Sequence, residues 1–356
     1  MTPRVVHLAS GREWRGGQRQ VWLLARELAR LGVPQIVVTG RGGTLAERTR
    51  EQGIPVRLVP WTAGLDPRVL PGLLAELRAG PTLLHAHDAH AVTLGGIAGA
   101  LSRRPLVVTR RVDFHLRRRG YWGRAARIIA ISDAVARILV EDGIARERIQ
   151  VVYSGIDLDE VRRTTPLGIR GRLALSGDAP IVANVAALVA HKDHATLLRA
   201  AGLLRDTLPS LHWVVAGDGV ERQALERLSA ELGLQSRVHL LGHVDEPARL
   251  IADATYFVMS SREEGLGTSV LEAMALGIPV ASTAAGGLPE MLQDGAGLLV
   301  PPGDPAALAA AVERLVRDPT LARDIARKAQ QQVEQFTAAR MAGAVRSVYR
   351  SLAPFP

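Results

Sequence analysis

Short apolar runs of four to six residues recur along the chain, and most are separated by stretches whose apolar positions fall three and four apart. Arg4-Val-Val-His-Leu-Ala9 has the length and β-branched content of a buried strand. A Gly16-Gly17 turn follows, and Val21, Leu24, Ala25 and Leu28 then repeat at helical spacing between Gln20 and Leu31. The same reading predicts strands at 35–39, 55–59, 82–86, 105–109, 128–131 and 149–152, with helical stretches between them such as 91–100 and 133–141. The pattern restarts at 180–185 and continues at 213–216, 238–241, 256–259, 279–282 and 297–300. Strands that are apolar throughout are buried on both faces, which implies parallel sheets covered by helices. The fold class is therefore α/β. The stretch from Asp159 to Pro180 breaks the rhythm and predicts a domain boundary. At 356 residues the chain is too long for one comfortable core, so two domains are expected.

Composition narrows the class. The chain is 47% hydrophobic and 22% charged, which are globular values. It has no cysteine, so a disulfide framework, a thiolate metal site and a cysteine nucleophile are all excluded. Met1-Thr-Pro-Arg-Val-Val-His-Leu8 lacks the apolar run of a signal peptide. No apolar stretch reaches the roughly 20 residues of a membrane span. These features predict a cytoplasmic protein, at most peripheral to the inner face of the plasma membrane.

The net charge of +9 is unevenly spread. Residues 1–163 hold 26 arginines against 15 acidic residues, or +11, whereas 164–356 hold 18 basic against 20 acidic, or −2. Nine arginines lie between Arg103 and Arg127, opposed only by Asp113. Such a half favours anionic membrane surfaces or anionic acceptors; a solvated basic face is the plainer account. Lysine is nearly absent, with Lys192 and Lys328 the two examples. In a chain that defaults to arginine, Lys192 in Ala190-His-Lys-Asp-His194 invites a chemical reason: a compact ammonium reaches one phosphate oxygen where a guanidinium is too broad. Lys328 lies in a polar helix and needs none.

The densest chemistry is Glu263-Glu-Gly-Leu-Gly-Thr-Ser-Val-Leu-Glu272. A strand precedes it. A helix follows from Val270 and stops at Gly277 and Pro279. A strand, a glycine turn and a helix start together make an anion site, because first-turn N–H groups lack partners and the dipole favours negative charge. Carboxylates on both sides suit a ligand carrying phosphate and hydroxyls together, such as a sugar nucleotide. Ser269 and Glu272 also have the spacing of a capping box, in which Glu272 would merely tie off the helix.

The longer string E-G-x-G-x(3)-L-E-A-M-A-x-G-x-P-V, followed by G-G-x-P-E, resembles the donor site of retaining family 4 glycosyltransferases, marked by two glutamates separated by seven residues. Glu264 and Glu272 match that pair. The resemblance covers most of the chain and implies a GT-B fold: two doubly wound parallel-sheet domains facing across a cleft. It sets an acceptor-binding domain at 1–163, a nucleotide-sugar donor domain at 164–338, and a last helix in 339–356 that crosses back onto the first domain. It implies transfer of a sugar from a nucleotide diphosphate sugar to an acceptor hydroxyl, in cell-surface glycan, glycolipid or small-molecule glycoside synthesis. No metal and no cofactor are implied. Lys192, Glu264 and His87 become the catalytic candidates. Gly16, Gly17, Leu266, Gly267, Thr268 and Glu272 join Lys192 and Glu264 around the donor.

The remaining motifs are weaker. Ala216-Gly-Asp-Gly219 matches the family's G-x-G but fails as a dinucleotide fingerprint, since Arg222 stands at the third glycine position. His85-Ala-His87 puts two imidazoles at alternate positions of a strand, where either an acceptor or a metal could meet them; the family places a histidine pair at its acceptor pocket. Asp157-Leu-Asp159 imitates a metal motif of another glycosyltransferase fold, and the resemblance assigns it to the interdomain junction. Two positions depart from the family. Ala187 stands where an arginine usually precedes the phosphate lysine, which calls for another cation. Arg111 stands where a histidine is usual, so Arg111 could grip an anionic acceptor or the diphosphate, and His115 could take over part of the role. The acceptor candidates are His85, His87, Arg111 and His115, and lipid-linked or small anionic acceptors both suit them. A sugar-nucleotide epimerase is the rival enzyme reading. A basic nucleic-acid binder is a third, disfavoured by 4% aromatic residues and no recognisable module.

Overall fold

The structure is a computed structural model describing residues 4–62, 64–116 and 119–352. It divides into two compact units, residues 1–155 with 337–356, and residues 156–336.

The first unit is built on a parallel sheet of seven strands: β1 (Arg4–Ala9), β2 (Gln35–Gly40), β3 (Val56–Val59), β4 (Thr82–Ala86), β5 (Leu106–Arg110), β6 (Arg127–Ala130) and β7 (Ile149–Val151). Their order is β3-β2-β1-β4-β5-β6-β7, so the winding reverses between β1 and β4. Alternate residues of each strand face opposite layers. Val5, Val37, Leu83, Val107 and Ile129 join the core under the helices Gly16–Arg30 and Ala338–Arg350. Leu8, Leu84 and Ala86 point the other way, toward Gly95 of the helix Ala89–Ser102. The helix Gly16–Arg30 buries Val21, Leu24, Ala25 and Leu28, the positions its periodicity marks. The last helix packs on it through Met341, Ala342, Val345, Val348 and Tyr349.

The second unit repeats the design with six parallel strands: β8 (Ile181–Val185), β9 (His212–Ala216), β10 (Val238–Gly242), β11 (Tyr256–Met259), β12 (Val280–Thr283) and β13 (Leu298–Val300). The order is β10-β9-β8-β11-β12-β13, with the reversal between β8 and β11. Helices His194–Leu204 and Pro305–Arg317 pack together and supply Leu197, Leu198, Leu308, Val312 and Leu315 to its largest core.

The chain passes between the units at 155–156 and 336–337, not at 163 and 338. Residues 156–180 are packed into the second unit, which is why the change falls earlier. Ile169 is buried with Ile181, Val214 and Leu250. Leu167 N–H donates to Arg249 O (3.1 Å), and the Arg170 guanidinium donates to Ala179 O, Asp253 O and Thr255 Oγ1. A polar-looking stretch thus reads as a linker in sequence but is tied down by backbone acceptors.

Gly155 sits where backbones meet. A Cβ there would lie 2.4 Å from the carbonyl carbon and oxygen of Thr337, and Gln20 Nε2 donates to Gly155 O at 2.8 Å. Gly155→Ala should therefore destabilise the protein by about 1–3 kcal/mol, the usual range for overpacking. Urea denaturation measures this, and a change below about 0.5 kcal/mol would mean the approach relaxes without cost.

Candidate functional site

In an open parallel sheet the crevice beyond the strand ends at the winding reversal is where ligands sit. Both reversals here carry the marked residues.

In the second unit, the loop after β8 holds Lys192 and the loop after β11 holds Glu264. Lys192 Nζ donates to Glu264 Oε2 at 2.5 Å, with the side chains 17% and 11% exposed. Ser261 Oγ donates to the same oxygen at 3.2 Å. The two loops are stitched along their backbones as well. Arg262 N–H donates to His191 O (2.8 Å), Ser260 Oγ to Lys192 O (3.0 Å) and Arg262 Nε to Asp193 Oδ2 (2.7 Å). Asp193 has positive φ and caps the helix His194–Leu204 by accepting from Thr196 N–H, so Lys192 ends its loop in a fixed turn. His194 Nε2 behind it donates to Asn184 Oδ1 (3.0 Å), and Asn184 Nδ2 donates to Val258 O on β11.

The helix Thr268–Ala275 starts beside this pair. Its N-cap is Gly267 at φ +91°, where a side chain would be strained and would press on Leu288. No side chain caps it, and among the described residues no acceptor takes the N–H of Thr268 or Ser269. Ser269 is not in a capping box with Glu272: it lies inside the first turn, and its hydroxyl donates to Val185 O at 3.0 Å. Glu272 is 2% exposed one turn in, and Leu266 is buried in the preceding loop. The arrangement sets an uncapped helix N-terminus, a source of positive potential, beside the Lys192–Glu264 ion pair.

The glycines of Gly217-Asp-Gly219 have a packing reason. A Cβ on Gly217 would lie 1.9 Å from Ala186 O, and one on Gly219 would lie 2.3 Å from Leu188 O. The loops after β8 and β9 interlock there, and Leu188 N–H donates to Asp218 O. Ala187 lies inside that interlock.

In the first unit, Arg111 follows β5 and His87 follows β4. Arg111 Nη1 donates to His87 O (2.9 Å) and Nη2 to His87 Nδ1 (3.3 Å), while its Nε is buried without a partner. No ion pair among the described residues involves Arg111. Burial pushes its pKa down to about 10, so it stays charged at neutral pH. His87, His85 and His7 of β1 are all buried, with ring nitrogens within 4.8 Å of one another. His87 Nε2 meets His7 Nδ1 (2.9 Å), His7 Nε2 meets Gln35 Oε1 (3.0 Å), and His85 is held by Tyr349 OH (2.6 Å) and Thr109 Oγ1 (2.7 Å). Burial, with mutual repulsion and Arg111, lowers all three pKa values, that of His7 to about 4. With the nitrogens of His7 and His87 engaged in these bonds and a guanidinium alongside, the cluster is poorly suited to a cation.

Gly16 opens the helix Gly16–Arg30, and a Cβ on Gly17 would meet open space. His115 stands apart from the cluster, exposed and paired with Asp142 Oδ1 at 2.8 Å. Asp157 caps the short helix Leu158–Arg162 through Glu160 N–H, and Asp159 pairs with Arg163. The basic cluster is partly committed within the unit. Arg104 donates to Leu77 O and Gly80 O, Arg110 to Phe114 O, Arg119 to Asp142 O and Arg127 to Ala126 O; Arg117 and Arg118 lie outside the described residues. His7, Gln35 and Tyr349 escaped the sequence reading. Their signal was polar side chains on an otherwise apolar strand face and helix stripe.

Residues 168–332 match the family model of Glycosyl transferases group 1, and residues 14–160 match that of Glycosyltransferase Family 4. The first span contains the Lys192, Glu264 and Glu272 site, the second the histidines and Arg111. The chain belongs to this glycosyltransferase family. It is 36% identical over 160 residues to the lipopolysaccharide core biosynthesis glycosyltransferase LpsE of Rhizobium meliloti, covering 45% of this chain and 46% of that one. It is 35% identical over 258 residues to the D-inositol 3-phosphate glycosyltransferase of Mycolicibacterium paratuberculosis, covering 70% of this chain and 56% of that one. The chain thus spans about half the length of these relatives. Anabaena Alr3699/HepE, solved with UDP and glucose, superposes with a TM-score of 0.85 at 23% identity, over 98% of this chain and 100% of that one. Its likeness shows the GT-B class of fold, with two Rossmann-like parallel-sheet domains.

The buried imidazoles make stability depend on pH. His7 in the first unit and His194 in the second both have pKa values lowered to about 4, mainly by burial. Between pH 6.5 and 4 the unfolded chain binds protons that these folded rings refuse, so stability is full above pH 6.5 and falls on acidification, by about 3 kcal/mol per histidine at most. Calorimetry should show the melting temperature dropping between pH 7 and 4.5. A flat profile over that range would contradict neutral buried rings.

Proposed function

We propose that the protein transfers a sugar, with retention of configuration, from a nucleoside diphosphate sugar to a hydroxyl of an anionic acceptor. The observation that carries this reading is the Lys192–Glu264 pair set beside the uncapped start of the helix Thr268–Ala275. Breaking the anomeric C–O bond leaves an oxocarbenium-like sugar and a diphosphate gaining negative charge, and stabilising that charge is the main catalytic demand. Lys192 and the free N–H groups of Thr268 and Ser269 meet that demand at the diphosphate. Arg262, anchored on Asp193 with its side chain 60% exposed, supplies the second cation that Ala187 cannot. Glu264 holds sugar hydroxyls and Glu272 the ribose. The acceptor oxygen forms the new bond on the face the diphosphate leaves, and a diphosphate oxygen takes the hydroxyl proton. Because protein cations carry the charge, the step needs no divalent metal or other cofactor.

Arg111 supports an anionic group on the acceptor: a buried guanidinium with an unpartnered N–H and no carboxylate is complete only with an anion. The likeness to an inositol phosphate glycosyltransferase and to a lipopolysaccharide core enzyme points the same way. UDP-sugars are the first donors to test, since HepE was solved with UDP and glucose. No helix among the described residues is long and apolar enough to cross a membrane. The Arg103–Arg127 cluster supports peripheral contact with an anionic membrane only weakly, because several of its arginines donate to backbone carbonyls of their own unit.

Lys192→Gln keeps an N–H for Glu264 but removes the charge. It should lower kcat about 10²–10³-fold without unfolding the protein, by analogy with loss of one oxyanion donor. Activity within a few-fold of the parent would remove Lys192 from the mechanism. Glu272→Ala should weaken UDP binding measured by calorimetry; unchanged affinity with a lower melting point would assign Glu272 a structural role instead. Transfer should survive EDTA, and its abolition by chelation would overturn the metal-free step.

A further inference from the structure

We infer that Gln35 and His7 hold Arg111 in place through His87, as one hydrogen-bonded chain of fixed direction that presents the guanidinium to the acceptor's anionic group. The inference deepens the proposed acceptor site and rests on that reading.

The direction is set independently at each end. Arg111 has only donors, so His87 Nδ1 must accept from Nη2, and the neutral His87 ring then carries its proton on Nε2. At the other end, Gln35 Nε2 donates to Ala25 O at 2.7 Å, so the oxygen facing His7 is Oε1 and can only accept. His7 must therefore carry its proton on Nε2 and accept at Nδ1. His87 Nε2–H and His7 Nδ1 are 2.9 Å apart, and the two end conditions agree on that bond. Arg111 thus donates to His87, His87 to His7, His7 to Gln35 and Gln35 to the backbone of the helix Gly16–Arg30. Each ring has one tautomer compatible with both neighbours.

The placement of the chain argues for more than core filling. His7 and Gln35 lie on the sheet face covered by the helices Gly16–Arg30 and Ala338–Arg350, among Val5, Val37 and Leu83. Apolar side chains would satisfy that face at less risk, since any broken link leaves a buried donor or acceptor unpaired. The polar line ends at the one member with spare capacity, Arg111, whose Nε is buried without a partner. His85 stacks on His87 with centroids 4.0 Å apart but bonds to Tyr349 and Thr109 instead. It packs the chain without belonging to it. Gln35 and His7 are positioning residues in this scheme, remote from the reacting atoms.

Replacing Gln35 tests the chain from its far end. In Gln35→Leu, His7 loses its acceptor while Arg111 still requires His87 Nδ1 to accept, so both rings keep their tautomers and the His7 Nε2–H is left buried without a partner. Gln35→Glu keeps an oxygen acceptor toward His7, at the cost of the bond to Ala25 O, and should keep the His7 Nε2–H bonded. Long-range 1H–15N spectra of full-length, 15N-histidine-labelled protein read the tautomers directly. The wild type should show His7 and His87 as Nε2–H forms, and Gln35→Leu should keep both tautomers but move the His7 Nε2–H proton to the shift of an unbonded N–H, which Gln35→Glu should reverse. With UDP saturating the donor unit, inorganic phosphate should perturb His87 Nδ1, and Gln35→Leu should raise the midpoint at least ten-fold. A wild-type His87 protonated at Nδ1, or a His7 Nε2–H signal unchanged in Gln35→Leu, overturns the chain. Intact tautomers with no response to phosphate overturn its role in anion binding. Failure of the wild type to bind UDP would instead strike the donor reading and leave the tautomers untouched.

Discussion

The contact between Lys192 and Glu264 is the constraint on which the second unit's site depends. Two nearly buried charges 2.5 Å apart contribute little net stability, because desolvating both offsets most of their attraction. What the contact fixes is place. It ties the loop after β8 to the loop after β11 across the winding reversal, where the backbone bonds of His191, Lys192 and Arg262 repeat the same join. With the loops locked, the ammonium cannot drift from the helix that begins at Thr268. Lys192 is paired with Glu264 and Arg262 with Asp193, so the ion pairs hold the loops, and the helix N-terminus at Thr268 is left without a side-chain cap.

The first unit places a cation by different means. Its cation is a guanidinium held by neutral groups, a carbonyl and an imidazole, with Asp88 the nearest acidic influence. Asp88 itself is occupied by Ser10 and by the N–H of Ala91. A carboxylate partner would have cancelled the charge; neutral acceptors orient it and leave it available. Keeping the histidines neutral is what makes this possible, and burial does so by driving their pKa values down. Both cations lie just beyond strand ends flanking their sheet's reversal or next to it, where loop backbones diverge and leave room for a ligand.

Much of this was legible in the chain itself. Apolar strands such as Tyr256-Phe-Val-Met259 announce parallel sheets, because strands buried on both faces lose the polar alternation. The seven residues between Glu264 and Glu272, and a rare lysine in an arginine-rich chain, marked residues that the fold brings to neighbouring loops. What the sequence hid was partnership. Ser269 and Glu272 have capping-box spacing, yet the cap is Gly267, because the αL conformation of that glycine starts the helix earlier. Ala216-Gly-Asp-Gly219 reads as a ligand loop but is explained by a neighbouring backbone less than 2.5 Å from where a Cβ would be. His115 and Arg111 look equivalent in sequence, and only the fold sends one to Asp142 and the other to His87. Gln35 and His7 were invisible, since their significance comes from strands that are adjacent in space.

The last helix shows why polar groups persist in such a core. Apolar packing of Met341, Ala342, Val345 and Val348 on the helix Gly16–Arg30 would tolerate sliding, since one hydrophobic ridge resembles the next. Tyr349 removes that freedom. Its hydroxyl meets His85 Nδ1 at 2.6 Å, and His85 Nε2 is already fixed by Thr109. A slip of one turn would move Tyr349 about 5 Å and leave two buried polar atoms unpaired, a penalty of a few kcal/mol that apolar contact does not impose. Directional bonds therefore register a helix contributed by the end of the chain against strands from its beginning. The same histidine layer that fixes this register also packs against the ring that steadies Arg111. Fold register and the placement of Arg111 in this unit thus rest on two polar lines that pack against each other at His85 and His87.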